Sequence, residues 1–279
     1  MVQRFPGPLL LAADSLHVVA CRLDIAVPDA IKVLDVAERE RAARFVFERD
    51  RRRYINAHAQ LRIILGRCLE RPPESLRFAS TSHGKPYLAE GARKEVQFNL
   101  SHAGERALVA ITVGRKVGVD IEQECQLHDL ADMAHRFFAP AEIAALRALP
   151  VAEQTAAFFR CWTRKESFVK ALGDGLSYPL AHFEVSLDPE PWREALRGCA
   201  SDPDVSEKWR IVAIPVEPGY VAAVAAQTGD WRLKLWHADL VSLSRFFASA
   251  LGCDDRTLIL PATRNEEDAR WTGGGRRRD

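Results

Sequence analysis

Residues 118–122, Gly118-Val119-Asp120-Ile121-Glu122 (GVDIE), set the pattern from which the fold can be predicted. Side chains alternate between the two faces of a strand, so Asp120 and Glu122 are expected on one face and Ile121 on the other, toward the core. Two neighbouring carboxylates repel each other and need a cation or a shared proton. Oxygen ligands suit a hard ion such as Mg²⁺. The alternative for this motif alone is a strand end with a solvated polar face.

A long helix is predicted over residues 152–172, ending before Gly173. One stripe of this helix carries apolar side chains together with Glu166 and Lys170. Charged groups within an apolar stripe need partners, because burying an unpaired charge is costly. Glu166 and Lys170 are four residues apart and can pair with each other. Alternatively, Glu166 completes a three-carboxylate metal site while Lys170 reaches an anionic substrate.

A third motif, FNLSH at residues 98–102, precedes the small residues Ala103-Gly104. Ser101 and His102 are adjacent, and adjacent side chains of an extended segment point apart. The pair is therefore not a nucleophile and base of the hydrolase kind. A hydroxyl, an imidazole and free backbone N–H groups in a turn of small residues predict a phosphate-binding site. The alternative is a turn capped by the serine, with the histidine on the surface.

Strand-like and helical segments are mixed along the rest of the chain, which predicts an α+β fold. Helices are expected within residues 35–69 and over 140–149. Residues 84–86 are expected to form a loop, because glycine and proline flank the lysine there. The expected strands are residues 16–23, 76–80, 107–113, 117–122, 183–187, 209–216, 220–226 and 231–236.

An internal similarity suggests that the chain consists of two similar halves. The helix that begins at Arg53-Tyr54 has apolar residues and a terminal Leu-Gly at offsets that match those of the later helix. Chance similarity of two amphipathic helices is the alternative. We expect an N-terminal α+β subdomain over residues 1–117 and a C-terminal α+β subdomain over 118–243. An extension over 244–279 is expected to form a helix and then a disordered tail from about residue 264.

The composition excludes several classes of protein. The 279 residues include 39 Lys plus Arg and 38 Asp plus Glu, and the near-zero net charge argues against a general nucleic-acid or membrane-surface binder. No apolar run approaches the ~20 residues that span a bilayer, and the first residues lack the pattern of a signal peptide. The six cysteines are scattered without a C-x-x-C pair. We therefore expect a soluble cytoplasmic protein with reduced thiols.

Four motifs in this order resemble those of one enzyme family. They are Gly84-Lys85-Pro86, FNLSH at 98–102, GVDIE at 118–122, and residues 162–170 followed by Gly173-Asp174-Gly175-Leu176. Together they are similar to the ordered motif set of the 4′-phosphopantetheinyl transferases. The length and the two-half layout resemble the Sfp-type branch (that of Gsp, Sfp, HetI and AcpT) rather than the short trimeric holo-acyl-carrier-protein synthases. The resemblance extends from about residue 36 to residue 226.

The resemblance implies both a fold and an activity. The fold is a pseudo-twofold pair of similar α+β subdomains, with the active site at their interface, where coenzyme A and Mg²⁺ bind. The activity is a Mg²⁺-dependent transfer of the 4′-phosphopantetheine arm of coenzyme A to a serine of an apo acyl or peptidyl carrier protein, which releases adenosine 3′,5′-bisphosphate. The alternative is a non-catalytic relative that binds coenzyme A or a carrier protein.

The resemblance also implies roles for individual residues. Asp120, Glu122 and Glu166 match the acidic metal set, and the expected catalytic residues are Glu166, Lys170 and Glu122. Lys170 matches the lysine at the pyrophosphate, where it would offset negative charge. Either Glu166, or Glu122 through a metal-bound water, would accept the proton of the attacking serine. The expected coenzyme A contacts are Arg41, Arg53, Lys85, Ser101, His102 and Lys170.

One copy of the chain contains every motif of the expected site. The Ser-His motif and the carboxylate and lysine motifs lie on the two predicted halves of the same chain. The protein is therefore predicted to be a monomer.

Overall fold

The chain before residue 117 folds around one long helix, α3. The computed structural model describes residues 3–5, 11–25, 27, 29–89, 95–173, 178–189, 195–199 and 201–238. Helix α2 begins at a capping box, in which the Glu38 N–H donates to the Asp35 side chain at 2.9 Å and the Asp35 N–H donates to Glu38 at 3.0 Å. The elements of this part are β1 Gln3–Arg4, β2 Ser15–Arg22, α1 Ala30–Val33, α2 Val36–Ala43, α3 Glu48–Leu69, β3 Phe78–Ser80, β4 Pro86–Leu88, β5 Val96–Ala103 and β6 Arg106–Val113.

The chain from residue 117 onward repeats this order around a second long helix, α6. Helix α6 follows Pro150 and ends at Gly173, whose φ of 87° is the left-handed conformation that glycine adopts without strain. Both helix ends confirm the sequence prediction. The elements of this part are β7 Val117–Gln123, α4 Leu130–Phe137, α5 Pro140–Ala148, α6 Val151–Leu172, β8 Phe183–Val185, β9 Leu196–Cys199, α7 Val205–Lys208, β10 Trp209–Ala213, β11 Tyr220–Gln227 and β12 Arg232–His237.

The strands pair in the same order in both halves of the chain. One sheet has the order β1-β12-β2-β6-β5 and another the order β10-β11-β7. In each half, the first long strand is antiparallel to the last, and the last is antiparallel to the strand before it. Strand β12 departs from this symmetry, because it crosses to the N-terminal sheet and pairs parallel with β2. The α+β class is confirmed, and the repeated strand order supports two similar halves.

Three apolar clusters hold the layers together. Leu61 and Ile64 of α3 pack with Val109 of the five-stranded sheet. The buried face of α6 packs on the three-stranded sheet in the same way. Between the two sheets, Val18 of β2 and Val119 of β7 belong to one shared cluster. The two sheets therefore lie face to face, with α3 and α6 on their outer faces.

Several elements differ from the sequence prediction. Strands β6 and β7, expected on either side of a tight turn, lie in different sheets and do not pair with each other. Residues 98–102 are part of β5 rather than of a turn, and the chain reverses one step later, at Gly104. Helices α1, α4 and α7 and strands β1, β4 and β9 were not predicted. Each is at most 8 residues long, so its pattern is too short to stand out.

Several predictions lie outside the described residues. They are the extension from residue 244, with its tail from about 264, and the motif residues that follow Gly173. The subdomain boundary at 117/118 stays a prediction. Within the described chain, no helix combines the length and the apolar character needed to cross a membrane.

Candidate functional site

A close approach of β7 to α6 brings the predicted carboxylates and lysine together. A Cβ added at Gly118 would lie 2.2 Å from the backbone oxygen of Ser167 and 2.3 Å from the backbone nitrogen of Ala171. Only glycine therefore allows β7 to pack this closely on the helix. The same face of β7 carries Asp120 and Glu122, and the opposite face carries Ile121, which is buried in the inter-sheet core. The predicted strand and its two faces are confirmed.

Lys170 joins the two halves of the chain at Asp120. Its Nζ lies 2.5 Å from Asp120 Oδ1 and 3.0 Å from the Ser101 hydroxyl oxygen. The Ser101 hydroxyl also donates to Asp120 Oδ1 at 2.9 Å. Asp120 is only 2% exposed, so this ion pair is largely removed from water. Within the described chain, Lys170 pairs with Asp120 and not with Glu166, so the plain intrahelical ion pair is not the arrangement found.

Two carboxylate oxygens beside this cluster have no partner. Asp120 Oδ2 and Glu166 Oε1 are buried, and neither accepts a hydrogen bond within the described chain. A buried acceptor without a donor costs about 1–3 kcal/mol, and more when it is charged. No three His, Cys, Asp or Glu side chains of the described residues are close enough to count as a complete metal cluster. The two unpartnered oxygens fit a hard divalent cation, because such ions prefer carboxylate oxygen.

Burial and the neighbouring Asp120 carboxylate raise the pKa values of both glutamates of the site. Burial, and next the Asp120 charge, raise the pKa of Glu122 to about 7, although Lys170 and a hydrogen bond from Trp162 oppose the rise. Burial and then Asp120 also raise the pKa of Glu166. A carboxylate whose pKa is raised in this way gains most from a nearby cation. The two groups that were candidates for proton acceptance therefore both hold protons more tightly than a free glutamate.

Strand β5 covers the free edge of β7 with two side chains. The Val119 N–H donates to Asn99 Oδ1 at 2.8 Å, and the Ile121 N–H reaches the Ser101 hydroxyl at 3.4 Å. Asn99 and Ser101 are two residues apart, so they point to the same face of β5. Sequence reasoning did not identify Asn99, although the alternation of FNLSH contains the signal. Ser101 is thus bound to Asp120 and Lys170, whereas the side chain of the neighbouring His102 points to the other face of β5.

A group of basic side chains surrounds His102. Burial of its ring, and then the charges of His58, Lys170, Arg41 and Arg53, lower the pKa of His102. The structure therefore brings Arg41 and Arg53, both predicted from the sequence, near the predicted histidine. His58 was not identified as a site residue, because its helical spacing fitted the apolar stripe of α3.

Lys85 occupies a different position from the other predicted contacts. Its Nζ donates to the backbone oxygens of Val117 at 2.9 Å and of Ala171 at 3.1 Å. Burial, and then the Lys116 charge, lower the pKa of Lys85 to about 8. The Gly-Lys-Pro loop is thereby fastened to the start of β7 and to the end of α6, next to Lys170. Its predicted contact with the nucleotide stays a prediction.

Comparison with known proteins finds one family across most of this chain. The model described as "4'-phosphopantetheinyl transferase superfamily" matches residues 116–225, and that described as "4'-phosphopantetheinyl transferase, N-terminal" matches residues 26–113. The 4′-phosphopantetheinyl transferase HetI of Nostoc sp. is 35% identical over 237 residues, covering 83% of this chain and 96% of the relative. The 4′-phosphopantetheinyl transferase Sfp of Bacillus subtilis is 31% identical over 194 residues, covering 70% and 82%. Among solved structures, the holo-[acyl-carrier-protein] synthase of Thermotoga maritima matches at 17% identity over 42% of this chain and 64% of that one, with a TM-score of 0.31.

Proposed function

The chain belongs to the 4′-phosphopantetheinyl transferase superfamily, of the HetI and Sfp type, and transfers 4′-phosphopantetheine from coenzyme A to an apo carrier protein; we propose that the reaction takes place at Asp120, Lys170 and Ser101. One observation carries this proposal. Lys170 Nζ binds Asp120 and Ser101 from opposite halves of the chain, beside two buried carboxylate oxygens that lack partners. A lysine held next to unbalanced carboxylates suits a substrate that carries a pyrophosphate and a metal ion.

Asp120, Glu122 and Glu166 are the residues that would hold Mg²⁺. The unpartnered oxygens of Asp120 and Glu166, together with the raised pKa values of both glutamates, support this assignment. When bound, Mg²⁺ supplies positive charge that stabilises the pyrophosphate oxygens as the phosphoanhydride breaks.

Basic side chains position coenzyme A, which is a polyanion. Lys170 binds the pyrophosphate and offsets the charge on the leaving group. Arg41, Arg53 and His102 bind the phosphate on the ribose, where guanidinium groups form strong charge-assisted hydrogen bonds. Ser101 holds Lys170 in position, and Lys85 fastens the loop that borders the nucleotide to α6. Binding energy from the distant phosphate thereby fixes the reacting phosphorus in place.

The transfer requires one proton acceptor. The serine Oγ of the carrier forms a bond to the β-phosphorus of coenzyme A, and its proton passes to Glu166 or Glu122. The bond between that phosphorus and the bridging oxygen breaks, so adenosine 3′,5′-bisphosphate leaves with the electron pair.

Intact-mass spectrometry of apo carrier proteins tests this function. With coenzyme A and Mg²⁺, an apo acyl or peptidyl carrier should gain the mass of one phosphopantetheine and release adenosine 3′,5′-bisphosphate. Addition of EDTA should stop the reaction, and excess Mg²⁺ should restore it. Binding of coenzyme A without a mass change in any carrier would instead support the non-catalytic binding relative. We assign the enzyme to the cytoplasm, where free coenzyme A and apo carriers meet.

A further inference from the structure

A cavity between the two sheets lies outside the proposed active site. Its volume is about 620 Å³, and its walls come from both sheets. Pockets that hold a small ligand have volumes of ~300–1,000 Å³, so this cavity has room for several apolar side chains. The apolar residues of its wall include Val18, Ala20 and Leu235 from the five-stranded sheet and Ile121, Ile214 and Val216 from the opposite side.

The arginine and glutamate side chains of the cavity wall are already paired. Arg106 donates to Glu217 at 2.9 Å, and Arg22 donates to Asp24 at 3.1 Å. A charged occupant would have to compete with these ion pairs, and a charge left unpaired against the apolar wall would be costly. The cavity therefore fits an occupant whose inserted face is apolar and uncharged.

The chain continues past Ala238 from the wall of this cavity. Ala238 lines the cavity, and its N–H donates to the backbone oxygen of Ala20, on the same wall, at 2.9 Å. Residues 239–279 follow, beyond the stretch that resembles the transferases. The first residues of this extension therefore begin beside the cavity.

The sequence of residues 240–251 predicts a helix with one apolar face. Arg245 is the only charged residue among them. At 3.6 residues per turn, Leu240, Leu243, Phe247 and Leu251 fall on one stripe, whereas Ser242, Arg245 and Ser249 fall on the opposite face. A helix of this length is marginal in water by itself, so it needs a surface against which its apolar face can pack.

We infer that residues 240–251 bind in this cavity of their own chain through the apolar stripe and so hold the two sheets together. This role goes beyond the proposed function. Ile121, which lines the cavity, lies between Asp120 and Glu122 on β7. The bound segment therefore supports the strand of the two carboxylates from its opposite face. Removal of several large apolar side chains from water stabilises the folded protein.

Two aspartate variants of the full-length protein test this packing. Phe247→Asp places a charge within the apolar stripe, and the control Ser249→Asp places the same charge on the polar face. The melting temperature should fall by ~5–10 °C in Phe247→Asp, because the segment leaves the cavity, and should not change in the control. Hydrogen exchange locates the effect. Amide exchange of the wall segments 214–220 and 232–238 should accelerate by a factor on the order of 10 in Phe247→Asp alone.

A variant of the wall tests the same contact from the other side. Val216→Asp should lower the melting temperature as Phe247→Asp does. The double variant should lose no more than either single variant, because both changes remove one contact. Additive losses would overturn the inference, since the two residues would then act independently. Unchanged melting and exchange in Phe247→Asp would overturn it as well, as would faster exchange confined to other parts of the chain.

Two further measurements distinguish other occupants of the cavity. If light scattering shows a dimer that Phe247→Asp converts to a monomer, the segment binds in a neighbouring copy. If native mass spectrometry shows a small molecule retained equally by the unmodified protein and by Phe247→Asp, a ligand fills the cavity. Either result would overturn the inference. None of these measurements depends on transfer activity, so the inference and the proposed function can fail separately.

Discussion

Gly118 is the residue on which the geometry of the site depends most directly. The atoms that a Cβ would meet belong to the backbone of α6, at 2.2 and 2.3 Å, so no side-chain rotation can make room. We expect Gly118→Ala to separate α6 from β7, to lower stability by about 1–3 kcal/mol and to abolish most of the transfer activity. Thermal unfolding and turnover measure the two effects. Gly198→Ala is the control, because no atom lies within 4 Å of its added Cβ.

The charged residues of the site should separate activity from stability. Asp120→Ala, Glu166→Ala and Lys170→Ala should each lower turnover by a factor on the order of 10² or more, since each weakens charge stabilisation at the pyrophosphate. Lys116→Ala, in the nearby turn, should have little effect. Full activity of Asp120→Ala, or an active enzyme indifferent to chelators, would contradict the three-carboxylate site.

The two carboxylate variants should differ in stability without metal. Sequence reasoning alone predicts that both stay folded, because removing one carboxylate relieves repulsion. In the structure this holds for Glu166, which has an unpartnered buried oxygen. Asp120 is the partner of Lys170, so Asp120→Ala leaves a half-buried ammonium without its carboxylate. Metal-free melting temperatures should therefore fall for Asp120→Ala and stay equal or rise for Glu166→Ala.

Among the elements, strands and helices with strong patterns were predictable, but their pairing was not. The alternation in GVDIE and the Gly173 stop identified β7 and the end of α6. Yet β7 pairs with β11, where Val119 faces Val224, and not with its sequence neighbour β6. Local periodicity contains no information about a partner so distant in the chain. For the same reason, the contact of Asn99 with the edge of β7 could not be foreseen.

The parallel pair of β2 and β12 contains a pH-sensitive residue, His17. It is 1% exposed, and the Trp236 indole N–H donates to its Nδ1 at 3.1 Å. Burial, and then the Lys234 charge, lower the pKa of His17 to about 4, compared with 6.5 in an unfolded chain. Between these values the unfolded chain gains a proton that the folded protein does not accept. The free energy of unfolding therefore decreases as the pH falls through this range.

Urea denaturation at pH 7 and pH 5 tests this effect. From the pKa values, His17 should account for a loss of about 2 kcal/mol between the two pH values. His17→Gln has no ionisable group, and its amide oxygen can still accept the indole N–H. Between pH 7 and pH 5, the free energy of unfolding of His17→Gln should therefore decrease by about 2 kcal/mol less than that of the unmodified protein. An identical pH dependence in both proteins would show that His17 does not titrate in this range.

For the whole molecule, the ordered motifs predicted which residues meet, but not every contact that they make. Asp120, Glu166 and Lys170 come together because GVDIE and the long helix form adjacent elements. The binding of Lys85 to backbone oxygens, and the position of His58, depend on how a loop and α3 dock on distant strands. Docking of this kind depends on packing between residues that are far apart in the chain. A short motif contains no information about such packing.

The site also predicts the oligomeric state of the whole protein. Ser101 lies on β5 of the N-terminal half, whereas Asp120 and Lys170 lie on β7 and α6 of the C-terminal half, and all three are in contact within one chain. A second copy is not needed to complete this cluster. Light scattering should therefore give a mass near the 31.2 kDa of one chain, and activity per molecule should not change on dilution. An obligate trimer whose activity disappears on dilution would show that the working site includes residues of a neighbouring copy.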